Sequence, residues 1–221
     1  MRVEELAIPG AYLVTTACLA DERGTFAEGF RADLIAEVTG RPFAVAQINY
    51  SVSRQGTIRG IHGVAVPPGQ TKYVTCVRGA LRDVLVDLRV GSPTFGRHVS
   101  TVLEPATGHA VYVPDGVGHG FLALTDDACI CYVVSPGYVP GTQLDLNPLD
   151  PALALPWGLT GPPILSAKDA AASTLAEALA AGLLPAWADC RPAAEKSSRP
   201  GVDARPRVGP AAAGTRNGDN R

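Results

Sequence analysis

The chain has 221 residues, of which 46% are hydrophobic, 18% charged and 6% aromatic, with a formal net charge of −2. This length suits one large domain or two small ones, and the charge balance excludes a basic nucleic-acid binder and an acidic disordered chain. No run approaches the roughly 18–20 apolar residues that cross a bilayer, and Met1-Arg2-Val3-Glu4-Glu5 lacks a signal-peptide core, so a cytoplasmic protein without a membrane partner is expected.

In chain order, the first helical stretch is Asp33–Thr39, stopped by Gly40. Between residues 10 and 165 the apolar pattern is mostly short, with a period of two. Val84–Leu88 alternates with Asp83 and Asp87, Ala110–Val113 is a brief apolar run before Pro114, and Cys129–Val134 is a continuous run suited to a strand covered on both faces. Turn signals separate the runs at Gly56, Pro67-Pro68-Gly69, Arg78-Gly79, Gly91-Ser92-Pro93, Pro114-Asp115-Gly116 and Pro136-Gly137. The 24 glycines and 19 prolines agree with many turns and few long helices. Short strands at this spacing predict an all-β sandwich or barrel.

A second helix is expected from Ala167 to Ala181, with Ser166 as N-cap, Asp169 as the reciprocal half of a capping box and Gly182 as terminator. Residues 1–190 then form one domain. Residues 191–221 read as a disordered tail: from Pro192 onward there are six Lys/Arg, three Asp/Glu and only Val202 and Val208 as large apolar side chains.

Cys18, Cys76, Cys129, Cys131 and Cys190 form no CxxC pair, and an odd set of thiols in apolar contexts reads as structural. Of the four histidines, His62 (Arg59-Gly60-Ile61-His62-Gly63) and His119 (Gly118-His119-Gly120) have glycine neighbours that admit close approach of another group, as at a ligand wall. His98 and His109 lie in polar, loop-like stretches. Nothing like His-x-His with a nearby glutamate follows His62, and no HExxH occurs, so a metal site is not expected. His62 would then serve as a general base or hydrogen-bond donor, needing an orienting acid and a group to hold developing charge. Lys72, Asp83, Tyr132 and Asp169 are candidates, but spacing alone does not bring them together. Each also has a structural reading: a turn lysine, an edge-strand charge, a core aromatic and a helix cap.

Eight segments in order resemble the dTDP-4-dehydrorhamnose 3,5-epimerase family. They are Asp21-Glu22-Arg23-Gly24-Thr25-Phe26-Ala27-Glu28, Gln47-Ile48-Asn49, Arg59-Gly60-Ile61-His62, Lys72-Tyr73-Val74, Asp83 to Arg89, Ser92-Pro93-Thr94-Phe95-Gly96, Pro114 to Phe121 and Pro163 to Asp169. The resemblance covers about residues 5–185. It implies a cupin-type jelly roll with short helices and a C-terminal helix, a homodimer, and an isomerase that uses neither metal nor organic cofactor. The implied substrate is a dTDP-4-keto-6-deoxyhexose, whose C4 ketone acidifies the protons on C3 and C5.

By the same resemblance His62 is the base, Asp169 its orienting partner, Lys72 the stabiliser of the enolate oxygen, and Tyr132 the proton donor across the ring. A phenol, with a reference pKa of about 10, carries at neutral pH the proton it must give. Arg23 and Arg59 would fork onto the diphosphate. Tyr138 and Phe26 would pack on nucleotide or sugar, and Gln47, Asn49, Glu28, Gln143 and Lys168 would make polar contacts. His119 would line the pocket, Asp83 would support Lys72 or His62, and the Arg23–Glu28 stretch would reach the partner subunit's site. Departures from the family's pattern are Gly63 in place of an aromatic, expected to enlarge one wall, Val133 in place of lysine, Gln143 in place of glutamate, and Leu146-Asn147-Pro148-Leu149-Asp150. They resemble the branch acting on antibiotic deoxysugars and leave C3 and C5 both open. The alternatives are a 3,4-ketoisomerase on the same substrate and a non-catalytic sugar-nucleotide binding cupin.

Overall fold

A computed structural model describes residues 1–190; the tail expected over 191–221 lies outside the described residues. The strands are β1 (Arg2–Glu5), β2 (Tyr12–Thr15), β3 (Cys18–Asp21) and β4 (Gly24–Ala27), followed by helix α1 (Ala32–Thr39). Next come β5 (Gln47–Ser53), β6 (Ile58–Val64), β7 (Thr71–Arg78), β8 (Leu81–Asp87), β9 (His98–Leu103), β10 (His109–Val113), β11 (Val117–Ala123), β12 (Ala128–Ser135) and β13 (Gln143–Asp145). Three short helices close the described chain: α2 (Ala167–Ala170), α3 (Leu175–Ala180) and α4 (Trp187–Cys190).

One antiparallel sheet runs β1-β2-β10-β7-β12-β5 and the other β13-β6-β11-β8-β9, with β3-β4 as a separate hairpin. The two sheets share an apolar interior in which Val74, Val111 and Ile130 of the first meet Leu85, Leu103 and Phe121 of the second. This is the expected cupin-type jelly roll. Each outer face is also covered in part. Ile35 of α1 packs with Tyr73, Tyr112 and Val133 on one side, and Trp157 and Ala178 of the C-terminal segments pack with Ile61, Val84 and Leu88 on the other. That double cover explains the unbroken apolar run of β12, where Ile130 points inward and Val133 outward.

The turn signals fall between strands, except that Arg78 is the last residue of β7, and α1 ends at Gly40, whose φ of +66° is the left-handed conformation a glycine supplies without strain. Other readings need correction. The helix expected over Ala167–Ala181 is two helices, because Ser173 bridges to Leu146 and Thr174 starts afresh with a capping box to Glu177. His98 and His109 begin strands rather than sit in loops. Asp83 and Asp87 are not a solvent face or an edge charge: they share the inward side of β8 with Leu81 and Leu85 and are 1% and 0% exposed. The glycines around the two histidines admit protein rather than a ligand. A Cβ at Gly60 would lie 2.6 Å from Gly120 Cα, and one at Gly118 or Gly120 would lie 2.6 Å from the Ile61 side chain. Gly63 likewise faces Leu88 and Leu144 of the outer cluster, so it enlarges no wall of the inter-sheet space.

The Asp87–Thr94 segment proves structural. Asp87 accepts from Arg89 Nε at 2.7 Å and Nη2 at 2.9 Å, from Thr94 Oγ1 at 2.6 Å and from Ser92 Oγ. Burial works to raise the Asp87 pKa, but these hydrogen bonds and the Arg89 charge prevail and hold it below the ordinary carboxylate value. Asp87→Ala would strand the buried Arg89 guanidinium, so an unfolding loss of about 3–5 kcal/mol is expected by denaturant titration. A change under about 1 kcal/mol would show that the pair carries no such weight.

Candidate active site

Because Ile61 and Gly63 face the outer cluster, the alternation of β6 turns His62 inward. Its ring is met by α2. Ser166 caps that helix by accepting from the Asp169 backbone N–H at 3.0 Å. The Asp169 side chain makes no reciprocal bond to the cap; its Oδ1 instead accepts from His62 Nε2 at 2.7 Å. Asp169 is 4% exposed. A carboxylate held this way fixes the ring's orientation and leaves Nδ1 as the nitrogen that can accept a proton. Burial pulls the His62 pKa below its ordinary value, opposed by the hydrogen bond and charge of Asp169 and the charge of Asp145, while Lys72 adds to the downward pull. The imidazole is thus neutral near pH 7 and able to act as a base.

From the facing sheet come Lys72 on β7 and Tyr132 on β12. Lys72 lies opposite Val134, and Tyr132 opposite Val74 and Asn49. Tyr132 packs against the inter-sheet cluster, from the sheet that faces β6. The Lys72 ammonium is desolvated, which lowers its pKa to about 8 against the contrary pull of Asp145 and Asp83. Asp83 makes its hydrogen bond to neither Lys72 nor His62: its Oδ2 accepts from His119 Nε2 at 2.6 Å, while its buried Oδ1 has no partner among the described residues. His119 itself stands opposite His62 in the β6–β11 pairing.

A groove of about 440 Å³ opens onto His62 and Asp169 and is edged by Arg54, Arg59 and Lys168, a cationic rim suited to an anionic ligand. Arg59 is steadied by donating from Nε to Ser53 Oγ at 3.1 Å. Gln47 and Asn49 are hydrogen-bonded to one another at 2.7 Å on β5, and Gln47 Oε1 accepts from the Tyr138 backbone N–H. The remaining sequence candidates are not gathered here. Tyr138 is 61% exposed, and Gln143 donates to Val139 O rather than entering the groove. Arg23, Phe26 and Glu28 belong to or follow the β3–β4 hairpin, where Arg23 pairs with Asp21 and Phe26 is 65% exposed. A slightly larger cleft of about 490 Å³ lies beside Arg41, Arg89 and Trp187, but both arginines there are already bonded, to Asp115 and Asp87.

Two residues escaped the sequence reading, Arg54 at the groove rim and Asp145. Asp145, opposite His62 in the β6–β13 pairing, puts Oδ1 3.7 Å from His62 Nε2 and 2.9 Å from Lys168 Nζ. The alternation Gln143-Leu144-Asp145-Leu146 was the available signal. His62, Asp145 and Asp169 bring one ligand atom each within 4.8 Å of one another, a spacing compatible with a cation. Lys168 Nζ already stands against Asp145 Oδ1, and Asp169 is engaged by the His62 ring N–H.

A sequence model described as dTDP-4-dehydrorhamnose 3,5-epimerase matches residues 5–177. The chain belongs to that family. It is 51% identical over 201 residues to a dTDP-4-dehydrorhamnose 3-epimerase of Streptomyces niveus, covering 91% of this chain and 97% of that one. Among solved structures it is similar to NovW, a 4-keto-6-deoxy sugar epimerase from the novobiocin biosynthetic gene cluster of Streptomyces spheroides (TM-score 0.84, 52% identity, 86% and 96% coverage). It is similar also to ChmJ, a 3'-monoepimerase of Streptomyces bikiniensis solved with dTDP-quinovose (TM-score 0.81, 45% identity, 83% and 93% coverage). The chain is an isomerase of the epimerase class.

In the enolate-stabilising role that the resemblance implies, the Lys72 ammonium must keep its proton, so kcat/KM is expected to fall as pH rises through about 8, the value to which Lys72 is lowered. Lys72→Arg replaces it with a group that does not titrate there. Whatever activity that variant retains should lack this alkaline limb; an unchanged limb would assign it to another group.

Proposed function

We infer that the protein inverts C3 of a dTDP-4-keto-6-deoxyhexose in deoxysugar biosynthesis. C3 is the carbon shared by the family description and by the 3-epimerase relatives. What supports the reading is the placement of a carboxylate-backed imidazole on β6 of one sheet and a phenol on β12 of the other, with Lys72 on the strand beside the phenol's.

The chemistry needs this arrangement. His62 takes the C3 proton, and the electron pair moves onto the C4 oxygen as an enolate. Lys72 holds that charge, which the ground state lacks, so its contribution falls on the barrier. Tyr132 then gives its hydroxyl proton to C3 from the other face, the carbonyl re-forms, and the phenolate and imidazolium re-equilibrate with solvent. A single group on one face would only restore the starting configuration. Arg59 and Lys168 at the groove rim suit the diphosphate, and Gln47, Asn49 and Tyr138 suit the nucleotide side.

The same reading includes a second copy of the chain. Ile48, Tyr50 and Val52 on the outer face of edge strand β5 are 63%, 76% and 43% exposed, and Leu19 and Phe26 on the β3–β4 hairpin are 63% and 65% exposed. An apolar patch of this kind on an unpaired edge is suited to burial by a partner. The partner subunit's Arg23, Phe26 and Glu28 would then complete the site, which explains why none of them reaches it within one protomer. Light scattering should give twice the chain mass, and Tyr50→Glu should give monomers with a raised KM. A wild-type monomer with full activity would contradict the dimer.

Proton NMR of dTDP-4-keto-6-deoxyglucose in D2O should show deuterium entering C3, with entry at C5 marking double inversion. His62→Ala should cost about 10³-fold or more in exchange rate. Tyr132→Phe should uncouple the steps, because His62 can return deuterium to the face it deprotonated, so exchange outlasts inversion. No exchange with the wild-type protein would overturn the assignment.

A further inference from the structure

Asp145 has no place in the mechanism above, yet its surroundings are specific. It lies opposite His62 across the β6–β13 pairing, its side chain is 19% exposed, and its Oδ1 receives no well-aligned hydrogen bond although Lys168 Nζ is 2.9 Å away. Lys168 is different: 60% of its side chain is exposed, and it edges both the cationic groove and the neighbouring pocket that holds Asp145. A half-buried carboxylate, its Oδ1 inaccessible to solvent, is therefore shared between a fixed imidazole at 3.7 Å and a solvent-facing ammonium.

A diphosphate entering the groove carries more negative charge than one carboxylate, and Lys168 stands beside Arg54 and Arg59 where it would bind. We propose that Asp145 is a positioning residue whose charge passes to His62 when a diphosphate draws Lys168 away, so that substrate binding itself strengthens the base. This rests on the epimerase reading of the same groove. The groups around His62 are Asp169 and Lys168 on α2, Asp145 on β13, Lys72 on β7 and His119 on β11. Of these, only the Asp145–Lys168 pair combines a carboxylate with an inaccessible oxygen and a solvent-facing cation. An unshared opposite charge at this range raises an imidazole's pKa by about 1–3 units. Asp145 already opposes the lowering of the His62 pKa in the free protein, and more of its charge reaches the ring once Lys168 is drawn off.

NMR titration of the four histidine rings, with His62 assigned by its loss in His62→Ala, tests this with dTDP as the probe. The nucleotide's own charge raises the His62 pKa in every variant, so the differences between variants decide. The dTDP-induced rise should be about one unit larger in the wild type than in Asp145→Asn. Lys168→Gln, without nucleotide, should already titrate about one unit above the free wild type. Equal rises in wild type and Asp145→Asn, or a free Lys168→Gln that titrates like the wild type, would overturn the proposal. Should Asp145→Asn fail to fold, the Lys168→Gln arm decides alone. A wild type that does not bind dTDP would instead count against the substrate reading, which keeps the two failures apart.

Discussion

The 2.7 Å hydrogen bond between His62 Nε2 and Asp169 Oδ1 ties a strand of the inter-sheet wall to a four-residue helix that belongs to neither sheet. It joins two segments 107 residues apart, and much of the site depends on it. The ring's orientation, the choice of Nδ1 as proton acceptor and the burial of Asp169 all follow from it. The helix in turn is held by its Ser166 cap, and the C-terminal segments beyond it cover the outer face of the five-stranded sheet. Those segments therefore serve the chemistry as well as the core.

The sandwich supplies what inversion demands and a single surface cannot. His62 belongs to one sheet, and Lys72 and Tyr132 to the other, so opposed groups are a consequence of topology rather than of loop conformation. Electrostatics adds the protonation states. Desolvation lowers both His62 and Lys72, which leaves the base neutral and places the ammonium's titration at about 8, within reach of physiological pH. The carboxylates of Asp83, Asp145 and Asp169 limit how far that lowering goes. The region is a balanced set of charges, with Asp83 spending its hydrogen bond on His119.

Much of this could be read from the chain. Period-two runs and the Gly/Pro punctuation marked the strands; three of the eight ordered segments contain His62, Lys72 and Asp169, and the resemblance they carry implied Tyr132. What could not be read depended on which face a residue takes. The alternation of Asp83 and Asp87 with apolar residues looks like a wet strand, but the charges turn inward because His119 and Arg89 wait for them there. Gly63 looks like a missing wall, but it faces Leu88 and Leu144. The long helix broke because Ser173 found a strand partner in Leu146, a contact no local propensity encodes. Asp145 was missed for a related reason: only the β6–β13 register sets it beside His62.

The most direct test of the central claim is an experimental structure of the protein with a dTDP-6-deoxyhexose carrying a hydroxyl at C4, which cannot enolise. The account expects His62 Nδ1 and the Tyr132 hydroxyl on opposite faces of the ring at C3, each within reach of that carbon's hydrogen position, with the Lys72 ammonium at the C4 oxygen. Both groups on one face, or the phenol in a space the sugar does not enter, would contradict it.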